Sequence, residues 1–247
     1  MRIAISIDDT DNLESRGTGE IASLIAEELQ QRGWGSCSYI TRHQLFVHPD
    51  IPYTSHNSAM CFYADVGEGW LEPVIEYVSE FLEKESAPGS DPGLCVAVPA
   101  RMTARNELIA FGRRAKREVI GMDEAYDLAG RLGVHLSQHG GTGQGVIGAL
   151  AGAGLRMSGN DGRLKGFLEF AQPYRMLRVD ELLQHPLVDV VRSVTGEALR
   201  DEDLVTLGEK PKTVLLEGGA VLLVAPSQAQ NCEARWQTLH RKQLKVY

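Results

Sequence analysis

Near its N-terminus the chain reads Ile3-Ala4-Ile5-Ser6-Ile7-Asp8-Asp9-Thr10-Asp11. The apolar residues predict a buried strand over residues 1–7, and three aspartates follow within four positions. Side chains alternate between the faces of a strand, so residues just beyond its end can converge on one point. Converging carboxylates raise one another's pKa, and a hard cation such as Mg²⁺ relieves that repulsion. The segment therefore predicts a Mg²⁺ site at Asp8, Asp9 and Asp11, with a solvated acidic turn as the alternative.

The composition is that of a globular, cytoplasmic protein. The 247 residues are 43% hydrophobic, enough to bury a sizeable core in one large domain or two small ones. A formal net charge of −8 argues against binding nucleic acid through the overall field, although local basic patches remain open. No transmembrane span or signal peptide is predicted, so we expect no membrane partner. The four cysteines form no C-x-x-C pair, which argues against structural zinc and fits buried thiols in a reducing cytoplasm.

Hydrophobic periodicity predicts alternating strands and helices in the first part of the chain. A helix is expected to begin at Thr18 and to end at Gly33. Strands are then expected within residues 36–48 and 58–66, a helix over 68–84, and a strand over 94–98. The resulting order β-α-β-β-α-β is the split βαβ or ferredoxin-like arrangement, so we predict an α+β fold.

The remaining sequence predicts an α/β second half and a small β-rich C-terminal subdomain. Helices are expected over the basic segment 101–117, over 122–132 and over the small residues 146–153, with a strand over 134–137. Farther on we expect a strand around 174–179, a helix near 180–195, and short strands at 204–207, 212–217 and 220–225. We therefore assign residues 1–170 to a catalytic domain, with halves 1–100 and 101–170, and residues 171–247 to the subdomain.

A glycine-rich loop follows the predicted strand at 134–137 and reads His139-Gly140-Gly141-Thr142-Gly143-Gln144-Gly145. Glycines at such a junction let the backbone approach a ligand, and the N-terminus of the next helix favours phosphate. The spacing fits neither a Walker A motif nor a dinucleotide-binding fingerprint, and a flexible turn is the alternative. We predict that nucleotide phosphates contact Gly140, Gly141, Thr142, Gly143 and Gly145. The later glycines Gly148, Gly152 and Gly154 are expected to allow close helix packing.

Thr18 has two interpretations. It can serve as a helix N-cap, the ordinary role of threonine at the start of an amphipathic helix. It also lies between Gly17 and Gly19, which leave its hydroxyl accessible. Because a helix N-terminus can hold a phosphate on or near that hydroxyl, Gly17 and Thr18 are candidate site residues.

Two further segments are candidates for contact with a substrate. Tyr53, His56 and Asn57 lie in a predicted loop, where they could stack on or hydrogen-bond to a base, or simply shape the loop. Within the basic segment, Arg113 and Arg117 could bind phosphate or an RNA backbone, and a solvated helix face is the alternative.

Other catalytic patterns are absent from the sequence. It contains no G-x-S-x-G nucleophile motif, and its histidines lack zinc spacing. Asp9-x-Asp11 after an apolar strand is shared with the haloacid dehalogenase-type phosphohydrolases, but their later lysine and paired aspartates are not evident. An EF-hand is excluded because Leu13 stands where an oxygen ligand is required.

Taken in order, these features resemble the N-terminal, kinase-like region of the archaeal isoleucine-tRNA agmatinylcytidine synthetases. The resemblance covers residues 1–170 and rests on short motifs that occur in sequence. The motifs are Ile7-Asp8-Asp9-Thr10-Asp11, Gly17-Thr18, Ile51-Pro52-Tyr53 with Asn57, Asp91-Pro92-Gly93, and Gly145-Val146-Ile147-Gly148-Ala149-Leu150-Ala151.

The resemblance implies a kinase-like domain that binds ATP and Mg²⁺ through Asp8, Asp9 and Asp11 and phosphorylates the threonine at position 18. It also implies activation of a cytosine carbonyl in the tRNA anticodon, so that agmatine can displace the oxygen. That family continues through tRNA-binding domains and a zinc ribbon. We expect this chain to lack them, because Cys232 is the only cysteine after residue 171.

These observations predict a Mg²⁺-dependent, ATP-using phosphotransferase or ligase-like enzyme whose acceptor is a nucleoside, a tRNA or a small metabolite. One alternative is a non-catalytic nucleotide- or metabolite-binding module, a frequent role of ferredoxin-like units. Another is a tRNA-binding accessory protein that acts through the basic segment.

Overall fold

A computed structural model describes residues 1–51, 56–170, 176–227 and 233–247. The chain forms two compact units, Met1–Ser158 and Gly159–Tyr247. The two units are divided after Ser158, whereas the sequence predicts a domain boundary after residue 170. No helix among the described residues has the length and apolar character needed to cross a membrane.

The first unit is built on a sheet whose strands lie in the order β6-β5-β1-β4-β3, and β2 also pairs with β4. Among the described residues, the strand pairings within this sheet are antiparallel. The strands are β1 (Arg2–Asp8), β2 (Gly35–Cys37), β3 (Thr41–Gln44), β4 (Ser58–Val66), β5 (Gly93–Ala97) and β6 (His135–Gln138). Strand β1 is central and buried on both faces, which explains its nearly continuous apolar sequence.

Within the described part of this unit, five α-helices cover the sheet. The alternation of side chains along β1 decides which helices each face contacts. The helices are α1 (Thr18–Gln31), α2 (Leu71–Glu85), α3 (Arg105–Arg114), α4 (Met122–Leu132) and α5 (Gly145–Ser158). Ile3, Ile5 and Ile7 share a hydrophobic cluster with α1 and α2, whereas Ala4 belongs to a second cluster with α3, α4 and α5. Large residues thus point to one layer and small residues to the other, as the strand period of two requires.

The small residues of β1 let helix α5 lie unusually close to the sheet. A methyl group on Gly152 would meet Ser6 Oγ at 2.5 Å, and one on Gly148 would meet Asp8 Oδ2 at 1.6 Å. On another side of α5, a methyl group on Gly154 would come within 2.1 Å of the carbonyl oxygen of Leu108 in α3. The prediction that these three glycines allow close helix packing is confirmed.

The second unit is mostly β structure. Its strands are β7 (Arg163–Leu164), β8 (Met176–Arg178), β9 (Val190–Ser193), β10 (Leu204–Thr206), β11 (Val214–Leu216), β12 (Gly219–Pro226) and β13 (Trp236–Thr238), with a four-residue helix α6 (Val179–Leu182). They pair in the order β7-β11-β12-β13-β10-β8, with β9 parallel to β12. A fully buried Trp236 packs with Leu222 and Val224 at the centre of this unit.

The predicted helix near 180–195 is wrong. Helix α6 stops at Leu182, and β9 occupies residues 190–193. Pro186 explains the stop, because proline lacks the N–H that a helix needs and disfavours helical backbone at His185 before it. Taken together, the chain is α+β with a largely antiparallel sheet, as predicted.

Candidate functional site

The candidate site lies at the edge of the sheet where β1 ends. Asp8, the last residue of β1, is level with Gly93 at the start of β5, and Gly93 is in turn level with Gln138 at the end of β6. Ile7 pairs with Met60, so the start of β4 lies at the same edge. This register brings the aspartates, the turn before β5 and the glycine loop after β6 together.

Asp8 is buried, with 8% of its surface exposed, and the next residue turns the chain sharply. Asp9 has a φ of +51°, in the left-handed region that few residues other than glycine, asparagine and aspartate adopt readily. This turn lets Asp8, Asp9 and Asp11 interact electrostatically, as predicted from the end of an apolar strand.

The pKa values show how strongly these carboxylates interact. Burial, followed by the charges of Asp9 and Asp11, raises the pKa of Asp8 from 3.8 to about 8, although the backbone N–H of Asp9 offsets part of the shift. Burial, then Asp91 and Asp11, raises the pKa of Asp9 to about 6. Near neutral pH the Asp8 carboxyl therefore retains its proton in the ligand-free protein. A cation placed here would favour loss of that proton and would be stabilised by the resulting carboxylates.

Asp91, in the motif Asp91-Pro92-Gly93, is a fourth member of this group and was not among the predicted site residues. It precedes β5, is 8% exposed, and accepts hydrogen bonds from the backbone N–H and the hydroxyl of Thr142, the latter at 2.7 Å. Asp8, Asp9, Asp11 and Asp91 are referred to below as the acidic cluster. Through Asp91 the cluster is tied directly to the glycine loop.

The glycine loop is closely packed against its surroundings, which a merely flexible turn does not require. Gly141 and Gly143 have φ values of +58° and +86°. A methyl group on Gly141 would lie 1.7 Å from Asp91 Oδ1, and one on Gly143 would lie 2.0 Å from Gln138 Oε1. Gly140 also has a positive φ, and Gly145 begins α5 with its Cα against the backbone of Asp91. Because both donors of Thr142 go to Asp91, they are not directed at a phosphate in this structure.

The sequence suggested that Thr18 is the N-cap of α1, but the structure shows that it is not. Gly17 occupies the cap position with extended backbone, and Thr18 is the first helical residue. The buried Thr18 hydroxyl donates a hydrogen bond to Asp11 Oδ1 at 2.8 Å and accepts one from the Thr10 N–H at 3.4 Å. The structure thus brings Thr18 against the acidic cluster, with a carboxylate placed to receive its proton.

The cluster offers oxygen ligands of the kind that Mg²⁺ prefers, without a preformed metal cage. In the described ranges, no group of three His, Cys, Asp or Glu side chains is arranged to hold a metal ion. Mg²⁺ commonly binds through one or two carboxylates, with phosphates and water completing its shell. The buried Thr10 Oγ1 also has no hydrogen-bond partner among the residues that the structure describes. Mutually repelling carboxylates beside an unsatisfied hydroxyl fit a Mg²⁺ that arrives with a nucleotide.

The predicted substrate residues that the structure describes are His56, Asn57, Arg113 and Arg117. Asn57 donates a hydrogen bond from Nδ2 to the carbonyl of Phe46 at 2.6 Å, so its side chain shapes the loop. The Phe46 N–H in turn donates to the carbonyl of Ala115, just after α3. This contact places the loop beside the chain that carries the exposed Arg113 and Arg117. His56 is also exposed, and the predicted contact residue Tyr53 lies outside the described residues.

A polar chain on β6 leads into the glycine loop and was not foreseen. Ser137 Oγ lies 2.8 Å from Nε2 of both His135 and His139, and His139 Nδ1 lies 3.3 Å from Glu83 Oε1. Burial, followed by the charge of His139, lowers the pKa of His135. These contacts hold the side chain of His139, the first residue of the glycine loop, in place.

We expect the hydroxyl of Thr142 to hold the loop in place. Replacing Thr142 with valine should cost about 1–3 kcal/mol in the free energy of unfolding, because the buried Asp91 carboxylate loses a hydrogen bond. Replacing it with serine, which keeps the hydroxyl, should cost markedly less. Urea unfolding of both variants measures the difference, and equal losses would show that the hydroxyl contributes nothing.

The cysteines that the structure describes are free thiols, and two of the three are buried as predicted. Cys37, Cys61 and Cys95 form no disulfide, and the latter two are fully buried. Burial raises the pKa of Cys61 to about 12, so that thiol is neutral and unreactive at ordinary pH. Cys232 lies outside the described residues.

Comparison with known proteins gives one consistent result, although no family model matches the chain. The isoleucine-tRNA 2-agmatinylcytidine synthetase TiaS of Methanosarcina mazei is 31% identical over 158 residues, which are 62% of this chain and 36% of the relative. The Pyrococcus horikoshii enzyme of the same name is 28% identical over 189 residues, 73% of this chain and 42% of the relative. The chain thus spans well under half the length of these relatives.

Solved structures agree with the sequence matches. Crystal structures of apo TiaS, an isoleucine-tRNA agmatidine synthetase, and of TiaS in complex with its isoleucine tRNA and ATP are 26% and 27% identical to this chain, with TM-scores of 0.53 and 0.55. Each match covers 62% of this chain and 35–36% of the other. This chain is therefore homologous, over 62–73% of its length, to a part of the isoleucine-tRNA 2-agmatinylcytidine synthetases, which confirms the resemblance found in its motifs.

Proposed function

We propose that this protein is an ATP-dependent enzyme of tRNA modification, and that the acidic cluster and the glycine loop form its nucleotide site. The observation that carries the proposal is the convergence of four carboxylates, with the pKa of Asp8 and Asp9 raised, on a glycine loop at one edge of the sheet. Homology to synthetases, one of which has been solved with its isoleucine tRNA and ATP, supports the proposed use of ATP and tRNA.

We further propose that the first unit is a ferredoxin-like βαββαβ module whose central strand delivers the catalytic groups. The strand order β5-β1-β4-β3, antiparallel throughout, supports this assignment. The order of elements β1, α1, β2 and β3, β4, α2, β5 along the chain supports it as well. In such a module the end of β1 emerges between two neighbouring strands, which explains why so short a segment can supply three carboxylates.

Asp8 and Asp9 would hold Mg²⁺, which supplies neutralisation of the phosphate charge when it is bound. The protein's own part is positioning. Asp91 holds the glycine loop through Thr142, and the glycines of that loop let its backbone lie close to the cluster. Such a loop at the start of α5 favours the triphosphate through the helix dipole.

Thr18 is proposed as the acceptor of the γ-phosphoryl group or as an anchor for it. As an acceptor, its oxygen attacks the γ-phosphorus while the bond from phosphorus to the bridging oxygen breaks and ADP leaves. The hydroxyl proton passes to Asp11, which already accepts its hydrogen bond at 2.8 Å. The helix N-terminus then stabilises the negative charge on the phosphothreonine.

The proposed RNA contact is the surface formed by Phe46, His56 and Asn57 together with the last turn of α3 and the residues that follow it. Arg113 and Arg117 on this surface are exposed, whereas Arg114 is paired with Glu118 at 2.9 Å and with Glu124. Two exposed arginines beside a loop with a histidine suit a phosphate backbone and an unstacked base. A tRNA fits this chemistry best, and a nucleoside or a small metabolite is the alternative acceptor.

The decisive variant is Asp9→Asn, because asparagine tolerates the positive φ of this residue while removing its charge. We expect ATP turnover with tRNA and agmatine to require Mg²⁺ and to fall about a hundredfold in this variant. Asp127→Asn, at an exposed aspartate of α4, is the matched control and should leave turnover unchanged. Intact-mass measurement after incubation with ATP should show one added phosphate on the wild type. Unchanged turnover in Asp9→Asn would refute the assignment.

A non-catalytic nucleotide-binding module is the second candidate, favoured by the lack of a three-ligand metal group among the residues that the structure describes. Such a module would gain thermal stability from a non-hydrolysable ATP analogue. It would show neither ATP consumption nor added mass with any acceptor.

A further inference from the structure

Arg156, in the last turn of α5, is a buried cation without a counter-ion among the described residues. Only 4% of its surface is exposed. Its Nη2 donates a hydrogen bond to Ser38 Oγ at 3.2 Å, but Nε and Nη1 have no partner in that part of the chain. An unpaired charge in a protein interior is costly, and unsatisfied buried donors are rare enough to need an explanation.

Two tyrosine rings flank this guanidinium. Its Cζ lies 4.5 Å from the ring centre of Tyr39 and 5.0 Å from that of Tyr63. Cation–π contacts of this kind stabilise the charge through the ring faces. They leave N–H groups in the guanidinium plane, which need oxygen acceptors that the rings do not provide.

The described surroundings of Arg156 add positive charge and no negative charge that would pair with it. Tyr63 is within electrostatic reach of Arg2, Arg105 and Arg156. Arg2 is neutralised by Asp65 at 2.8 Å, whereas Arg105 and Arg156 form no ion pair within the described ranges. The Cys61 thiol is also near Arg156, but it is neutral and cannot act as the counter-ion. Two guanidinium charges therefore remain uncompensated around one tyrosine.

We propose that Arg156 is the base of a binding site for a phosphate group, with Tyr39 and Tyr63 as its walls and with Arg105 as a second cation. A phosphate dianion matches the two uncompensated charges and offers several acceptor oxygens to donors that point in different directions. Tyr39 lies in the connection between β2 and β3 and is partly exposed, so a change of its side-chain rotamer opens the site.

This site is distinct from the nucleotide site. Arg156 is eleven residues beyond Gly145, about 16 Å along α5 from the glycine loop. The two sites share no residue, so the phosphate site stands or falls independently of the proposed function. Its ligand is a phosphate group, either free phosphate or the phosphate of a nucleotide.

Titration with sodium phosphate, at ionic strength matched with sodium chloride, tests the proposal by calorimetry and by thermal unfolding. The wild type should bind phosphate and melt at a higher temperature in its presence. Arg156→Met should weaken binding by at least about tenfold, because charge-assisted hydrogen bonds are lost. Arg101→Met, at an exposed arginine outside the site, is the control and should bind like the wild type.

Arg105→Met keeps the test valid if the Arg156 variant does not fold, since Arg105 is exposed and should be replaceable without loss of structure. It should also weaken phosphate binding, while Arg101→Met does not. Repeating the titration with AMP distinguishes the sources: competition with phosphate that depends on Arg156 indicates a nucleotide ligand, and its absence indicates free phosphate. Equal phosphate binding by the wild type and Arg156→Met, or no binding by the wild type at millimolar phosphate, would overturn the proposal.

Discussion

Gly154→Ala is expected to destabilise the protein by about 3 kcal/mol, although alanine is the better helix former. The added methyl group would lie 2.1 Å from the carbonyl oxygen of Leu108, so α3 and α5 would have to move apart. Backbone atoms cannot turn aside as the end of a flexible side chain can. The strain therefore spreads through the hydrophobic cluster that includes Leu108, Leu150 and Leu155.

Gly130→Ala in α4 is the matched control, because among the described residues no atom outside the local helix backbone lies within 4 Å of the Cβ that it would add. Here the substitution should stabilise the protein by about 0.5–1 kcal/mol, through lower backbone entropy in the unfolded chain. Urea unfolding of both variants compares one chemical change in two helices. Destabilisation of similar size at both positions would show that helix α5 is not held as closely as described.

The wild type is expected to lose stability as the pH rises. The Asp8→Asn substitution is expected to remove most of that loss. The folded pKa of Asp8, about 8, exceeds its ordinary value of 3.8, so the folded state holds this proton more tightly than the unfolded chain. The stabilisation from that proton is fully present below pH 4 and is lost as the pH rises to about 8. Asparagine keeps the size of the side chain and cannot ionise.

At pH 8.5 the Asp8→Asn protein should be more stable than the wild type by roughly 3–5 kcal/mol, and at pH 4 the two should be nearly equal. Urea unfolding at both pH values measures this directly. Asp127→Asn should follow the wild type, since that aspartate is exposed on α4. A wild-type stability that does not fall between these pH values would show that Asp8 ionises freely.

Elements whose signal is local were predicted well. Strand β4 and helix α4 occupy residues 58–66 and 122–132, as their hydrophobic periods indicate. Strands β10, β11 and β12 also lie close to the strands predicted at 204–207, 212–217 and 220–225. The helix predicted near 180–195 was wrong, because a short strand in that segment takes its partner from elsewhere in the unit. This strand, β9, is held by β12, some thirty residues later in the sequence. Local periodicity contains no information about such partners.

The candidate site shows the same division. Asp8, Asp9 and Asp11 are adjacent in sequence, so the turn that unites them could be predicted. Asp91 meets Thr142 only because β5 and β6 pair, and the two residues are 51 positions apart. Arg156 gave no signal at all, since nothing in a helix of small residues marks one arginine as buried between two tyrosines.

The left-handed backbone at Asp9 has a consequence for how this position can vary. In a library with all twenty amino acids at this codon, folding should tolerate glycine and asparagine and reject valine and isoleucine, whose branched Cβ disfavours this conformation. Selection for activity should admit aspartate and reject glycine and asparagine. The gap between these two tolerated sets would separate what residue 9 does for the shape of the chain from what it does for chemistry.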